Sequence, residues 1–188
     1  MVELELVEEL KRKMLEERTA LTAAAQALSP VDVLAVPENA QGEDQWTALE
    51  QLAHLSEMEW SYDAWVRAAL RSDNPDLTGI SGEAVEVPIQ DANGKSIETM
   101  LRILEVQRSY TNGLIDGLSL EAFDRTATSP AFGTLTVLQW LRSFYRHDRQ
   151  HAAQIAGRQS DYKPNFKGDA KEPNQRQARI DLVIERRR

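Results

Sequence analysis

The chain has three histidines, His54, His147 and His151, and two of them stand four residues apart. In a right-handed helix positions i and i+4 lie over one another on one face, so His147 and His151 can aim their imidazoles at a common point. Neutral imidazole is a good ligand for zinc, nickel, copper and iron, and three protein ligands leave a coordination position for water or substrate. A closed structural site needs a fourth ligand, usually cysteine, and the chain contains none. The donor types therefore predict an open, chemically active metal site. The alternative is three core histidines, each bonded to a neighbouring side chain.

The lack of cysteine also excludes disulfides, thiolate ligands and a cysteine nucleophile, so any thiol must arrive as a bound molecule. A glycine-rich phosphate loop, a G-x-S-x-G elbow and an H-E-x-x-H motif are likewise missing.

Four helical segments must position the histidines, separated by stretches rich in Pro, Gly, Asn and Asp. The first is predicted from about Val2 to Leu28, with Leu6, Leu10, Met14, Leu21, Ala25 and Leu28 on one face, and Ser29-Pro30 ends it. After a loop with Pro37 and Gly42, the second opens at Thr47, where Glu50 completes a capping box. It carries His54 in a stripe with Met58, Ser61 and Trp65, and Ser72-Asp-Asn-Pro75 stops it. The third is predicted from about Ser96 through Met100, Leu101, Ile103, Leu104, Tyr110 and Leu114 to Gly117, a residue suited to the left-handed position that ends a helix. The fourth follows Gly133-Thr-Leu-Thr136, with Thr136 and Gln139 as a second capping box and Leu135 stapled to Trp140. Its inner stripe is Trp140, Phe144, His147, His151 and Ile155.

Residues 72–95 form an unusually long connection, in which Ala84 to Ile89 read as a short extended piece. Connections of this length usually have a topological or functional reason. Fully extended, it reaches ~80 Å, whereas a helix of about 25 residues is only ~38 Å long. It can therefore return the chain to the end from which the second helix started.

An inward-facing imidazole needs hydrogen bonds, water or a metal to satisfy its nitrogens. Glu57, Asp148, Gln150 and Gln154 are candidate outer partners of the histidines, and Glu57 a candidate general base; each has a solvent-facing reading as well. Trp46, Trp60, Trp65 and Trp140 are candidate pocket walls or plain core.

At 188 residues, 41 % apolar and 28 % charged, the chain is expected to form one soluble domain over 1–160 and a polar tail over 161–188. In that tail Ile180 to Ile184 is the only stretch suited to packing. The net charge of −8 is uneven: residues 161–188 hold eight Lys/Arg against five Asp/Glu, leaving fourteen against twenty-five in 1–160. Such an acidic body repels a phosphate backbone, so no nucleic-acid partner is expected. No apolar run is long enough for a bilayer and the start lacks a secretory pattern, so the expected location is cytoplasmic, with no membrane partner.

Two stretches resemble the DinB/YfiT-like superfamily: Trp46-Thr-Ala-Leu-Glu-Gln-Leu-Ala-His54-Leu, and Leu135-Thr-Val-Leu-Gln-Trp-Leu-Arg-Ser-Phe-Tyr-Arg-His147-Asp-Arg-Gln-His151-Ala-Ala-Gln-Ile155. The resemblance covers roughly residues 1–160. It implies an all-α four-helix bundle of up-down-down-up topology with a long crossover between helices two and three. It also implies a divalent metal, commonly nickel or zinc, on His54, His147 and His151. The family includes thiol-dependent S-transferases and isomerases that use low-molecular-weight thiols such as bacillithiol or mycothiol, and dimers are frequent. The expected function is thus a metal-dependent transferase or hydrolase acting on a small-molecule substrate, in which the ion activates a thiol cosubstrate or water. The competing reading is a non-catalytic, stress-associated helical homodimer with a structural metal or none.

Overall fold

The computed structural model describes residues 2–36 and 45–162. The loop with Pro37 and Gly42, and the tail stretch Ile180 to Ile184, lie outside the described residues. Four long helices make the body: α1 Leu4–Gln26, α2 Ala48–Arg71, α3 Ile97–Asp116 and α4 Val137–Ile155. Each lies within the span its apolar spacing predicts. Thr47 and Thr136 form the two expected capping boxes, their hydroxyls accepting from Glu50 N and Gln139 N while those side chains accept from the cap nitrogens. Ser96 caps α3 through Thr99 N.

Two apolar cores stack along the bundle. One gathers Leu21 and Ala25 of α1, Leu49 and Leu52 of α2, Met100 and Leu104 of α3, and Ala152 and Ile155 of α4. The other gathers Val7, Leu10 and Met14 with Tyr62, Val66 and Ala69, Ile115, and Val137, Leu141 and Phe144. The late part of α1 therefore packs with the early parts of α2 and α3 and the late part of α4. This is the up-down-down-up order.

Parallel α2 and α3 require the chain to travel back along α2, as the length of 72–95 implies. Its course is pinned at three heights. Near the start, Leu77 N donates to Thr128 O at 2.8 Å and Thr128 N to Pro75 O at 2.9 Å. Midway, the Trp65 indole donates to Ile80 O at 2.9 Å. At the far end, Asn93 donates to Glu50 Oε1 at 2.9 Å and accepts from the Thr47 hydroxyl at 2.6 Å, so the crossover is clamped to the N-terminal cap of α2. Gly82 passes so close to α2 that a β-carbon there would overlap the Trp60 backbone and lie 2.6 Å from Ser61 N. The extended piece expected at Ala84 to Ile89 is not a strand: the segment is irregular and turns into a 3-10 helix over Ile89–Gly94. Val87, Ile89 and Ala92 dock into the core individually, so no ladder is needed to bury them.

Two further departures are local. Gly117 ends α3 with φ −88, a right-handed conformation any residue adopts; the left-handed turn occurs at Gly157 after α4, with φ 66. Tyr110 faces outward at 58 % exposure and packs on Trp60 instead of joining the core. A hairpin that the helical pattern did not predict, β1 Thr126–Ser129 against β2 Gly133–Thr136, leads directly into α4. Just before it, Arg125 donates to Ala69 O at 2.7 Å and Ser72 O at 2.8 Å, satisfying carbonyls at the C-terminal end of α2.

Between the two cores lies a layer of charge with one residue from each helix. Arg18 of α1 donates to Asp148 of α4 with both Nε and Nη2 at 3.0 Å, and to Glu59 of α2 at 2.8 Å. Arg108 of α3 donates to Glu59 Oε1 at 2.7 Å and Oε2 at 3.0 Å, and to Asp148 Oδ2 at 3.0 Å. The spare guanidinium nitrogens reach Leu104 O and Met14 O, and the Thr111 hydroxyl reaches Glu59. Two cations and two anions balance, and the shared hydrogen bonds offset the large cost of taking ions out of water. Burial pushes the Glu59 carboxyl upward, but the Arg108 and Arg18 guanidiniums outweigh it and hold Glu59 below the usual glutamate range. Burial likewise opposes the charge on Arg108, and Asp148 and Glu59 more than restore it, raising its pKa.

Folded Glu59 thus binds its proton more weakly than the unfolded chain, where a glutamate titrates near ~4.3. Its stabilisation is complete above that value and is lost as the pH falls through the lower folded pKa. Glu59→Gln is expected to lower stability by about 3–5 kcal/mol at neutral pH, because Arg18 and Arg108 are then left sharing the single Asp148 carboxylate in the interior. It should also flatten the acid limb of stability below about pH 4.3. Denaturant titrations of both proteins between neutral pH and pH 3 check this; a variant with unchanged stability and slope would refute it. Gly82→Ala is expected to lift the crossover off α2 at a cost of roughly 1–3 kcal/mol, read in the same titration; parental stability would show that the close approach is not required.

Candidate metal centre

α2 and α4 bring the three histidines together in the bundle interior, next to the charge layer. His54, His147 and His151 are all buried, and one nitrogen from each lies within 4.8 Å of the others. The rings meet edge to face, with centroids 4.9 Å apart for His54 and His147, 5.4 Å for His54 and His151, and 4.6 Å for His147 and His151. The i, i+4 spacing on α4 does what helical geometry predicts, placing Nε2 of His147 3.0 Å from Nε2 of His151.

Two imidazole nitrogens at that distance cannot both present lone pairs to each other unless a proton or a cation lies between them. At His151 the choice of tautomer is constrained. Its Nδ1 is 3.1 Å from Oε1 of buried Gln51, and the Gln51 amide nitrogen reaches Trp46 O at 3.4 Å, which fixes which end of the amide faces the ring. A carbonyl oxygen only accepts, so His151 carries hydrogen on Nδ1 and turns the Nε2 lone pair toward the cluster. For a divalent ion with N-donor bonds of about 2.0–2.1 Å, nitrogens in cis positions sit roughly 3 Å apart, which the α4 pair matches. The donor set fits a borderline metal such as zinc or nickel and offers no oxygen cage of the calcium or magnesium type.

Aromatic rings close the surroundings. Trp46 packs on His54 with centroids 4.8 Å apart, and Tyr62 on His147 at 6.0 Å. Of the other tryptophans, Trp65 and Trp140 pack on each other at 5.2 Å in the second core, next to Phe132, and Trp60 lies with Tyr110 on the outside. Among the four tryptophans, Trp46 is therefore the one whose described ring contacts include a histidine of the cluster.

The proposed outer partners separate. Asp148 is completely buried, and both its oxygens bond the arginines of the charge layer, which removes the solvent-facing reading of that residue. Gln150 is buried as well, while Glu57 and Gln154 are half-buried. Glu50 is the cap its position suggests. Gln51 is the partner that sequence reasoning passed over. Its signal was available: it precedes His54 by three residues, which puts it on the same side of α2.

The sequence profile of the DinB superfamily matches residues 9–155, and the chain belongs to that family. Over 126 residues it is 28 % identical to the uncharacterized protein YuaE of Bacillus subtilis (strain 168), a match that spans 60 % of this chain and 76 % of YuaE. Its fold is similar to that of YfiT from Bacillus subtilis, with a TM-score of 0.67 at 16 % identity over 84 % of this chain and 87 % of YfiT. YfiT is described as a probable metal-dependent hydrolase with an unusual four-helix bundle topology. No described helix of the present chain is long and apolar enough to cross a membrane.

Removing the His151 ring strands the Gln51 carbonyl in the interior. His151→Ala is expected to lower the stability of the metal-free protein by about 1–3 kcal/mol, the penalty for an unsatisfied buried polar group. Chemical denaturation in the presence of chelator reads this directly, and a loss below about 0.5 kcal/mol, the range of an ordinary surface change, would contradict it.

Proposed function

We propose that the protein is a metal-dependent enzyme in which His54, His147 and His151 hold one divalent ion, nickel or zinc, and that it activates water or a low-molecular-weight thiol against a small-molecule substrate. The observation that carries this reading is the convergence of three buried imidazoles, one nitrogen of each within 4.8 Å of the others, in a chain without cysteine. Three donors on two helices leave coordination positions for exchangeable ligands, whereas structural sites are closed by four protein ligands. The description of YfiT as a probable metal-dependent hydrolase supports the same class.

When bound, such an ion lowers the pKa of a coordinated nucleophile and polarises an electrophile. The protein's own residues supply the setting. Trp46 and Tyr62 pack against His54 and His147. Glu57, three residues after His54 and half-buried, is the carboxylate we assign to proton transfer. In the thiol version the sulfur is supplied by the cosubstrate, because the chain has none of its own to offer as thiolate.

His147→Ala is expected to retain the parental helix content while its affinity for nickel and zinc falls by more than the 10–100-fold that loss of an outer-shell partner costs. Elemental analysis after reconstitution and far-ultraviolet circular dichroism check this. Stoichiometric, equally tight metal in the variant would exclude the ligand role. The catalytic part is tested by presenting metal-loaded protein with ester and amide substrates, and with electrophiles plus low-molecular-weight thiols; turnover that disappears in His147→Ala is expected. A metal-loaded parent inert toward every combination would count against catalysis.

A further inference from the structure

The strongest feature that the functional reading leaves unused is the fixed environment of Gln51. This side chain is buried at 4 % exposure, and both ends of its amide are engaged: Oε1 with His151 Nδ1 at 3.1 Å, Nε2 with Trp46 O at 3.4 Å. Its backbone nitrogen donates to Thr47 O at 3.0 Å, so Gln51 sits in the first turn of α2. That turn is doubly held. Glu50 closes the capping box with Thr47, and Asn93, arriving from the crossover, bonds both of them. A glutamine in a frayed helix end would sample many rotamers; this one is held in a single geometry by the cap beneath it and the carbonyl beside it.

We infer that Gln51 is the positioning residue of the histidine cluster, holding His151 in the Nδ1-protonated tautomer so that Nε2 is the ligating atom. This rests on the metal-centre reading of the previous section. Outer partners of ligating histidines commonly act through a carboxylate or a backbone carbonyl; here a neutral side-chain amide takes that place. The choice suits the surroundings, because a carboxylate at this point would add a buried anion to the metal-free interior. The long crossover then has a chemical consequence as well as a topological one. By clamping the α2 cap through Asn93 it fixes the residue that orients His151, a contact spanning 100 positions of sequence.

The test compares the parent with Gln51→Met, which keeps length and removes the acceptor, and Gln51→Glu, which restores an acceptor at the same place. Two quantities are measured. The first is zinc affinity by competition with a chromogenic chelator. The second is the tautomer of His151 in the metal-free protein, from imidazole nitrogen-15 shifts at a pH where the ring is neutral. The parent is expected to show His151 protonated on Nδ1. Gln51→Met is expected to show a tautomer mixture and zinc binding weakened 10–100-fold, and Gln51→Glu to recover binding at least to within about threefold of the parent.

A folded Gln51→Met variant with parental zinc affinity and an unchanged tautomer would overturn the inference. So would a parent whose His151 is protonated on Nε2, a measurement that needs no variant to fold. A parent that takes up no zinc or nickel at all would remove the functional reading, and the tautomer measurement would then still decide whether Gln51 orients the ring.

Discussion

The ion pairs among Arg18, Glu59, Arg108 and Asp148 are the constraint on which the other features depend. Apolar stripes permit neighbouring helices to slide by a turn at modest cost, since one leucine resembles the next. Three buried charges and the half-buried Arg18 that must meet permit no such slide, because any slip leaves an ion without its partner. The layer takes one residue from each helix, so a single set of hydrogen bonds fixes the mutual height of all four. Asp148 immediately follows His147, and Glu59 lies five residues beyond His54. The height that satisfies the charges is also the height at which α2 and α4 bring their histidines level.

The interior is consequently organised by polarity along its axis: an apolar core, a polar layer carrying charges and imidazoles, and a second apolar core. A cluster of imidazoles inside an uninterrupted leucine core would carry a severe desolvation cost. Beside an already solvated-like set of dipoles and ions that cost is smaller. The crossover adds the last element by passing back along α2 and locking its first turn, from which Gln51 reaches His151.

Much of this was legible in the sequence. The helices, their caps, the facing of Trp140, Phe144, His147, His151 and Ile155, and the need for a long return between α2 and α3 all follow from spacing and turn chemistry. The three histidines stood out by type and spacing, and the family resemblance supplied the topology and pointed to the same triad. The charge layer was harder to see because charged residues on amphipathic helices are usually outside. Yet each one occupies a slot in an apolar stripe: Arg18 between Met14 and Leu21, Glu59 between Leu55 and Tyr62, Arg108 between Leu104 and Ile115, and Asp148 between Phe144 and Ala152. A charge in an otherwise apolar slot on every helix of a bundle is a signal for a buried network. The hairpin of β1 and β2 escaped notice because strands of four residues carry little periodicity, and Ala84 to Ile89 misled because β-branched residues docking singly look like a strand.

The proposed role of the fold is to hold His54, His147 and His151 in one ligand sphere around a divalent ion. Anomalous diffraction from crystals grown with nickel or zinc tests it most directly. A single strong anomalous peak per chain is expected about 2 Å from one nitrogen of each histidine, with Gln51 still bonded to His151 Nδ1. Loaded crystals with no peak there, or with the peak on surface carboxylates and the three rings unchanged, would contradict it.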